Sequence, residues 1–321
     1  MQKRKLGQSN LEVPVICLGG NVYGWTVSEA ESFRQLDQAL DLGLNFIDTA
    51  DVYSRWAPGN QGGESETILG KWFAKSGKRK QVILATKVGM EMGEGKQGLK
   101  ASYIAQSVED SLRRLQTDHI DLYQSHKDDE STPLEETLGA YDKLIKAGKV
   151  RFIGASNYTG KRLAEALETS QKHHLPAYVA LQPHYNLVHR ADYEQDLLPV
   201  VEKYKLGVIP YFSLAAGFLT GKYRAATDAE GQARGGMVGK YLNPQGFAVV
   251  EALDTVAHAH QSTPARVALA WLIAQPGITA PIASATKENH LLDLVEASRL
   301  KLDAASLEKL NQASAAWVAK K

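Results

Sequence analysis

The sequence is short of several features that would assign a protein to a class at once. It holds one cysteine, Cys17, among 321 residues, which excludes an internal disulfide and agrees with a reducing compartment. Lys and Arg number 37 against 36 Asp and Glu, so no charge excess indicates nucleic acid or a membrane surface. No run approaches the roughly 20 apolar residues of a membrane span, and residues 1–6 lack a signal-peptide core. These absences predict a cytoplasmic protein that binds neither nucleic acid nor a membrane.

Two common cofactor signatures are also missing. No Gly-Xaa-Gly-Xaa-Xaa-Gly pattern follows the first predicted strand, which argues against a dinucleotide-binding Rossmann sheet. The histidine pairs His173–His174 and His258/His260 have no cysteine or carboxylate partner at metal-ligand spacing. We therefore predict no metal site.

What the sequence does contain is a repeated alternation of short apolar segments with amphipathic ones. Predicted strands begin near residues 15, 45, 82, 120, 150, 178, 207 and 279, and helical patterns separate them. This alternation predicts an α/β fold, a (β/α)8 TIM barrel that forms a single domain over residues 1–321. We also expect an N-terminal β-hairpin and a C-terminal helical extension. Residues 214–245 are too many for a passive connection and predict a lid or ligand clamp.

Ionisable side chains follow three consecutive predicted strands. Asp48 and Tyr53 follow the strand at 45–47, Lys87 follows the strand at 82–86, and His126 follows the strand at 120–125. Alone, each would more often be a capping, surface or loop residue, but the carboxyl ends of barrel strands share one face, so we expect them to converge. Asp48 should keep Lys87 charged, and this ammonium should lower the pKa of Tyr53. His126 is then available to orient a carbonyl oxygen.

These four side chains, within the motif Asn45-Phe46-Ile47-Asp48-Thr49-Ala50, resemble the catalytic tetrad of the aldo-keto reductase superfamily. The similarity covers nearly the whole chain and includes Leu219-Thr220-Gly221-Lys222-Tyr223. It implies an NAD(P)H-dependent oxidoreductase that reduces aldehyde or ketone carbonyls to alcohols. By this resemblance Tyr53 would be the general acid, Lys87 paired to Asp48 would tune it, and His126 would position the substrate oxygen.

The resemblance also implies a cofactor site. Ser156, Asn157 and Gln182 match the residues that hold the nicotinamide carboxamide, and Tyr211 matches the aromatic residue that stacks on its ring. Residues 213–222 match the pyrophosphate clamp. The full implied set is Gly20, Asn21, Asp48, Ser156, Asn157, Gln182, Tyr211, Phe212, Ser213, Leu214, Gly217, Leu219, Lys222, Ala283, Ser284, Thr286, Lys287 and His290.

The adenosine end departs from the pattern of the superfamily. Ser284 stands where many relatives have glycine, and no arginine occupies the positions that often bind a 2′-phosphate. Thr286, Lys287 and His290 remain available at a predicted helix N-terminus, where the dipole favours phosphate. NADP(H) is therefore the expected cofactor, with NAD(H) as an open alternative.

The expected substrate is a small carbonyl compound or alcohol, including sugar-derived ones. Loop side chains near the strand ends are the candidate pocket walls, and the two indoles among them suit a flat or sugar-like compound. The candidates are Tyr23, Trp25, Trp56, Met90, Tyr185 and parts of 218–240. Two other functions stay open, as does the oligomeric state. One is a regulatory nicotinamide-binding module like the channel β-subunits of the superfamily, with little turnover. The other is a non-redox barrel that uses Lys87 as a Schiff-base amine.

Overall fold

The barrel sheet is built from short apolar strands, each paired in parallel with its neighbours. The computed structural model describes residues 1–318. The strands are β1 (Lys3–Lys5), β2 (Glu12–Pro14), β3 (Cys17–Gly19), β4 (Phe46–Asp48), β5 (Ile83–Val88), β6 (Ile120–Ser125), β7 (Val150–Ser156), β8 (Ala180–Gln182), β9 (Gly207–Val208) and β10 (Ile282–Ala283). Strands β1 and β2 form an antiparallel hairpin, and the others follow the order β10-β3-β4-β5-β6-β7-β8-β9. Backbone bonds from Thr279 N to Val208 O (2.8 Å) and from Ile282 N to Pro210 O (2.9 Å) close the barrel.

Helices surround the sheet, and several of them begin at a residue whose side chain caps the first turn. They are α1 (Glu29–Asp41), α2 (Glu64–Ser76), α3 (Ala101–Leu115), α4 (Leu134–Lys146), α5 (Gly160–His173), α6 (Leu198–Tyr204), α7 (Gly235–Val238), α8 (Pro244–Ala259), α9 (Pro264–Ile273), α10 (Glu288–Arg299) and α11 (Ala304–Ala313). At α1, Ser28 and Glu31 form the capping box that their spacing predicts. Between residues 1 and 318, none of these helices combines the length and apolar character needed to cross a membrane.

The β1–β2 hairpin closes the amino-terminal end of the barrel. Leu6, Leu11 and Val13 are buried and pack with Phe46 and Ile209 inside the barrel. Gly7 has a φ of 55°, and a Cβ there would lie 2.2 Å from Val179 O. Only glycine therefore allows the turn to approach the strands so closely.

The predicted fold class is confirmed, and most strands of the barrel begin within two residues of their predicted starts. Residues 192–204 begin with a π-helical turn at Asp192–Leu197 and continue into α6. Residues 214–245 contain short helical turns, at Ala215–Thr220, Ala226–Ala229, α7 and Gly239–Tyr241. A single domain over 1–321 stays a prediction, and residues 319–321 lie outside the described part of the chain.

Candidate functional site

Strand register brings the ionisable side chains to one end of the barrel. Asp48 is the last residue of β4 and pairs with Ala85 of β5, while Lys87, two residues further along β5, pairs with Gln124 of β6. Residues two apart on a strand share a face, so Gln124 and His126 are presented to the same side. The carboxyl ends of β4, β5 and β6 therefore supply one group of polar side chains.

A buried ammonium holds this group together. Lys87 Nζ donates to Asp48 Oδ2 at 2.7 Å, to Thr49 O at 2.8 Å and to Tyr53 OH at 2.8 Å. Tyr53 OH also lies 3.2 Å from Asp48 Oδ2, to which it donates. Lys87 and Asp48 are both 0% exposed. The phenol is thus fixed between an ammonium and a carboxylate that water does not reach.

The second carboxylate oxygen of Asp48 also accepts hydrogen bonds within the protein. Gln182 Nε2 donates to Asp48 Oδ1 at 2.9 Å and to Gln124 Oε1 at 3.1 Å, and Gln124 Nε2 donates to Asp48 Oδ1 at 3.2 Å. Sequence reasoning missed Gln124, although its position two residues before His126 on one strand was the available signal. We call Asp48, Tyr53, Lys87, Gln124 and Gln182 the strand-end cluster.

The electrostatics of the tetrad differ from expectation in one respect. Burial, followed by the Asp48 carboxylate, raises the pKa of Tyr53 well above its usual range, whereas we expected Lys87 to lower it. Burial lowers the pKa of Lys87, and the ion pair with Asp48 opposes that shift. Burial, the largest cause, disfavours the phenolate, and the Asp48 carboxylate adds charge repulsion and accepts the phenol's hydrogen bond. The phenol therefore holds its proton, as a proton donor must.

His126 is neutral in this environment. Its side chain is 8% exposed, and burial, together with nearby Lys87, lowers its pKa well below the usual range. The Tyr53 and His126 ring centroids are 6.0 Å apart at an interplanar angle of 75°. Nδ1 is buried and meets no hydrogen-bond partner among residues 1–318. A neutral imidazole beside Tyr53 has one N–H to offer an oxygen atom without adding charge.

The residues assigned to the nicotinamide lie together at the ends of β7, β8 and β9. Ser156 Oγ donates to Gln182 O at 2.8 Å, and Asn157 Nδ2 donates to His126 O at 2.8 Å. Tyr211 OH donates to Asn157 Oδ1 at 2.8 Å. Asn157 has a φ of 55°, a left-handed conformation that asparagine tolerates better than most residues. The amide nitrogen of Gln182 and both amide atoms of Asn157 therefore already have hydrogen-bond partners within the protein.

The implied pyrophosphate clamp has a strained backbone. Phe212, Ala215 and Ala216 adopt φ values of 53°, 48° and 57°, which are costly for residues with a Cβ. A Cβ built on Gly217 would lie 3.6 Å from Lys222 Nζ, so the loop folds back until its ammonium covers the glycine. Of the other implied residues, Ser213 and Leu219 are buried and Leu214 is half-buried. Strain of this kind collects at ligand clamps because surrounding contacts hold it.

The residues implied at the adenosine end meet between β3 and α10. Ser284 Oγ donates to Asn21 Oδ1 at 2.5 Å, beside Gly20 and near Ala283 at the end of β10. Just before α10, Thr286 Oγ1 lies 3.3 Å from His290 Nδ1. Burial lowers the pKa of His290, with Lys287 and Lys222 acting in the same direction. Lys222 of the implied clamp is therefore within electrostatic range of the N-terminus of α10.

The pocket candidates divide into two groups. Trp56 is 49% exposed and packs edge-on against Trp25 (5.6 Å) and Tyr53 (6.0 Å), while Met90 is half-buried in the loop after β5. Tyr23 and Tyr185 are each 1% exposed and belong to the hydrophobic core. Their place in the pocket wall stays a prediction.

A second buried carboxyl group, which the sequence did not reveal, lies beside the tetrad. Burial and the nearby Glu66 carboxylate raise the pKa of Asp51 to about 8. Ser107 Oγ donates to its Oδ2 at 3.4 Å, and Oδ1 has no partner within residues 1–318. Glu66 is instead paired with Arg114 at 2.7 Å. Asp51 is thus a carboxyl group that burial keeps protonated near neutral pH.

Three cationic side chains on the loops of this face contrast with the strand-end cluster. Lys222, Arg234 and Lys287 make no ion pair with any residue between 1 and 318. We call them the loop cations. Lys222 and Lys287 are exposed, and Arg234 is half-buried. They give the loop side of the face a positive charge that the described chain does not neutralise.

Comparison with known proteins agrees with this geometry. Residues 15–315 match the model of the Aldo/keto reductase family. The uncharacterized oxidoreductase YrpG of Bacillus subtilis (strain 168) is 35% identical over 319 residues, covering 97% of this chain and 95% of YrpG. A putative voltage-gated potassium channel subunit beta of Schizosaccharomyces pombe is 32% identical, covering 96% and 92%. L-glyceraldehyde 3-phosphate reductase of Escherichia coli (strain K12) is 31% identical, covering 92% and 87%. With the strand-end cluster in the barrel mouth, these similarities show that the chain belongs to the aldo/keto reductase family.

Proposed function

We propose that this protein is a carbonyl reductase that converts aldehydes or ketones to alcohols with a reduced nicotinamide cofactor. The observation that carries the proposal is the contact of Lys87 Nζ with both Tyr53 OH and Asp48 Oδ2. Family membership supplies the oxidoreductase class, and the cluster supplies a protonated phenol at the carboxyl end of the barrel. When bound, the nicotinamide supplies the hydride that the carbonyl carbon accepts.

Tyr53 is the proton donor in this proposal. As negative charge develops on the carbonyl oxygen, the phenol proton passes to it, and Lys87 stabilises the phenolate left behind. Asp48 accepts from Lys87 and from two glutamine amides, so the ammonium stays charged and fixed. The long 3.2 Å bond from Tyr53 to Asp48 is the one that the hydroxyl gives up when it turns to the substrate.

His126 orients the substrate oxygen. Because the imidazole is neutral, its N–H holds the carbonyl without competing with Tyr53 as an acid. Trp25 and Trp56 form an aromatic wall beside Tyr53 for the rest of the substrate, and Met90 lies on the loop after β5. Small carbonyl compounds, including sugar-derived ones, are the proposed substrate class.

The residues at the barrel mouth fit a dinucleotide phosphate. Lys222 and Lys287 have no acidic partner among residues 1–318, and the glycine and alanine backbone at 215–217 leaves room for phosphate oxygens. Ser156 and Asn157 would hold the carboxamide, and Tyr211 would cover the ring. Thr286, Lys287 and His290 would contact the adenosine phosphate. We propose NADP(H) as the preferred cofactor, with NAD(H) as the alternative, and a cytoplasmic location.

The test is NADPH and NADH oxidation, followed by absorbance over a panel of aldehydes, ketones and sugars. Tyr53→Phe, which removes only the hydroxyl, should lower kcat by about 100- to 10,000-fold. Cofactor Kd should stay within about twofold, because the phenol is no cofactor ligand in this scheme. Loss of cofactor binding in the variant would show a structural role for Tyr53 instead.

The relatives named as potassium channel β-subunits favour one second candidate, a nicotinamide-binding regulatory module. Tight cofactor retention with a single turnover on every carbonyl would select that function. Absence of any cofactor binding would contradict both candidates.

A further inference from the structure

The turn after β8 places two imidazole rings behind Tyr211. Backbone hydrogen bonds run in both directions across this turn, from Asn186 N to His189 O (3.2 Å) and from His189 N to Asn186 O (3.0 Å). The turn brings His189 onto His184, and the two ring centroids are 3.7 Å apart at an interplanar angle of 12°. His184 in turn stacks on Tyr211, with centroids 5.2 Å apart at 21°. Three rings from the segments after β8 and β9 therefore form one stack.

His184 is the middle ring of this stack. Two rings at these distances cannot share one face of an imidazole, so Tyr211 and His189 lie on opposite faces of His184. The backbone holds the same residues together, because His184 and Tyr211 are partners in a parallel β-bridge. Tyr211 N also donates to Pro183 O at 2.9 Å. Tyr211 is thus held by a ring on one face and by the neighbouring chain along its backbone.

The same turn also holds Phe212, the next residue of the implied cofactor site. Asn186 is 0% exposed, and its Nδ2 donates to Phe212 O at 2.9 Å, while its Oδ1 accepts from Val188 N at 2.9 Å. Phe212 has a φ of 53° and packs edge-on against His184, with centroids 5.4 Å apart. A residue with a Cβ keeps such a backbone conformation only where surrounding contacts hold it. The turn therefore supports this part of the chain through an amide and a ring.

The two imidazoles are uncharged at neutral pH. Burial, followed by His189 and Lys240, lowers the pKa of His184 to about 3. Burial and Lys240 also lower the pKa of His189, while Asp192, at 3.2 Å from His189 Nε2, opposes that shift. An oxidised nicotinamide ring carries a positive charge, so a neutral stack can lie behind Tyr211 without repelling it.

We propose that His184 is a positioning residue for the nicotinamide end of the cofactor and that it acts through Tyr211. The inference rests on the proposed function, in which Tyr211 covers the nicotinamide ring. Because His184 occupies one face of the phenol ring, the nicotinamide takes the other face. Tyr211 cannot retreat from the nicotinamide without entering the space of His184, and its bond to Asn157 Oδ1 (2.8 Å) fixes the hydroxyl end. A flat, neutral ring is the feature that this position requires.

The variants are His184→Leu, which removes the flat ring at similar size, and His184→Phe, which keeps a neutral ring. Because the ring acts at the nicotinamide, His184→Leu should raise the Kd for NADP⁺ about fivefold or more. The Kd for adenosine 2′,5′-bisphosphate, which lacks the nicotinamide half of NADP⁺, should stay within about twofold. At saturating cofactor, kcat should fall about tenfold, since a displaced ring slows hydride transfer. His184→Phe should return each value to within about threefold of the wild type.

Fluorescence titration measures the affinities, with NAD⁺ and AMP as the pair of ligands if the protein prefers NADH. His260→Leu is the matched control, because His260 is also half-buried and also has a hydrogen bond to lose, with Ser306 Oγ at 2.8 Å. It lies just after α8 and should change none of these values by more than about twofold.

A second control tests whether His184 acts through Tyr211. In a Tyr211→Leu background, His184→Leu should cause no further loss of NADP⁺ affinity, because the ring that it supports is already gone. Independent roles would instead make the two losses multiply, and that result would overturn the proposal.

Other results would overturn it as well. Wild-type affinity and kcat in His184→Leu would show that Tyr211 needs no ring behind it. Equal losses in His184→Leu and His184→Phe would show that the flat ring is not the required feature. Equal weakening of NADP⁺ and the bisphosphate would place the effect outside the nicotinamide end. The binding measurements need no turnover, so they decide the role of His184 even if no carbonyl compound is reduced and the proposed reaction fails.

Discussion

Two regions of the barrel mouth differ in whether their charged side chains have partners within the protein. In the strand-end cluster, both oxygens of Asp48 and the ammonium of Lys87 have partners within the cluster or its backbone. The loop cations have no acidic partner in residues 1–318. The strand-end cluster is thus fully hydrogen-bonded within the protein, whereas the loop cations carry charge that the described residues do not neutralise. Strands can fix side chains in this way because their geometry is rigid, and loops supply the variable contacts.

Removing the central ammonium should break the strand-end cluster with the largest effect. Lys87→Met leaves Asp48 as a buried carboxylate without a counter-charge and Tyr53 without the group that stabilises its phenolate. We expect the free energy of unfolding to fall by about 3–5 kcal/mol. We expect kcat to fall by about 100- to 10,000-fold. Urea unfolding and cofactor oxidation measure the two effects separately.

The double variant Asp48→Asn/Lys87→Met is the control for that prediction. With both charges removed, most of the lost stability should return, because neither group is buried unpaired. Activity should stay low. If the double variant is no more stable than Lys87→Met, the ion pair is not what stabilises this part of the barrel.

Asp51 is a buried carboxyl group outside the strand-end cluster, and it lacks an ion-pair partner in the described chain. It therefore leads to a prediction about the pH dependence of stability. Its pKa is raised to about 8 in the folded protein, against about 4 for an unfolded aspartate. Between these values the folded state holds a proton that the unfolded state lacks, so stability falls as pH rises, by about 1.4 kcal/mol per pH unit from this group. Asp51→Asn removes that dependence. The free energy of unfolding of Asp51→Asn, relative to that of the wild type, should therefore rise by about 2–3 kcal/mol between pH 5 and pH 7.

Urea unfolding of both proteins at pH 5, 6 and 7 measures the difference. Below about pH 4, Asp51 is protonated in both the folded and the unfolded wild type. The difference in free energy of unfolding between variant and wild type should therefore no longer change with pH there. A constant difference across pH 5–7 would mean that Asp51 is ionised in the folded protein, paired through the Glu66 and Arg114 network.

The same contrast explains what the sequence could predict. Asp48, Lys87 and His126 follow apolar strands, so barrel geometry alone places them together, and Gln124 was within reach of the same argument. Arg234 and Asp51 were not. Arg234 lies in a glycine-rich segment without periodicity, and nothing in its neighbours indicates that it folds back onto Trp25. In the sequence, Asp51 resembles an ordinary turn residue. Its burial follows only from the packing of α2 and α3 around it.

The smallest predicted effect concerns Lys287, one of the loop cations. Lys287 immediately precedes α10, beside Thr286 and His290, where the helix dipole already favours phosphate. Lys287→Glu replaces attraction of a 2′-phosphate by repulsion. We expect the Kd for NADPH to rise about tenfold or more, while that for NADH, which lacks this phosphate, changes by about twofold. Fluorescence titration with each cofactor provides the measurement.

Lys301→Glu is the matched control for Lys287→Glu, because Lys301 is also exposed but lies just beyond the opposite end of α10. It makes the same change in net charge 14 residues further along the chain, past the other end of the helix, so a general loss of attraction between protein and cofactor should appear in both variants. Selective loss of NADPH in Lys287→Glu alone assigns the 2′-phosphate to this helix N-terminus. Equal losses of NADPH and NADH in that variant would instead place Lys287 against a phosphate that both cofactors share, leaving the preference between them to Thr286 and His290.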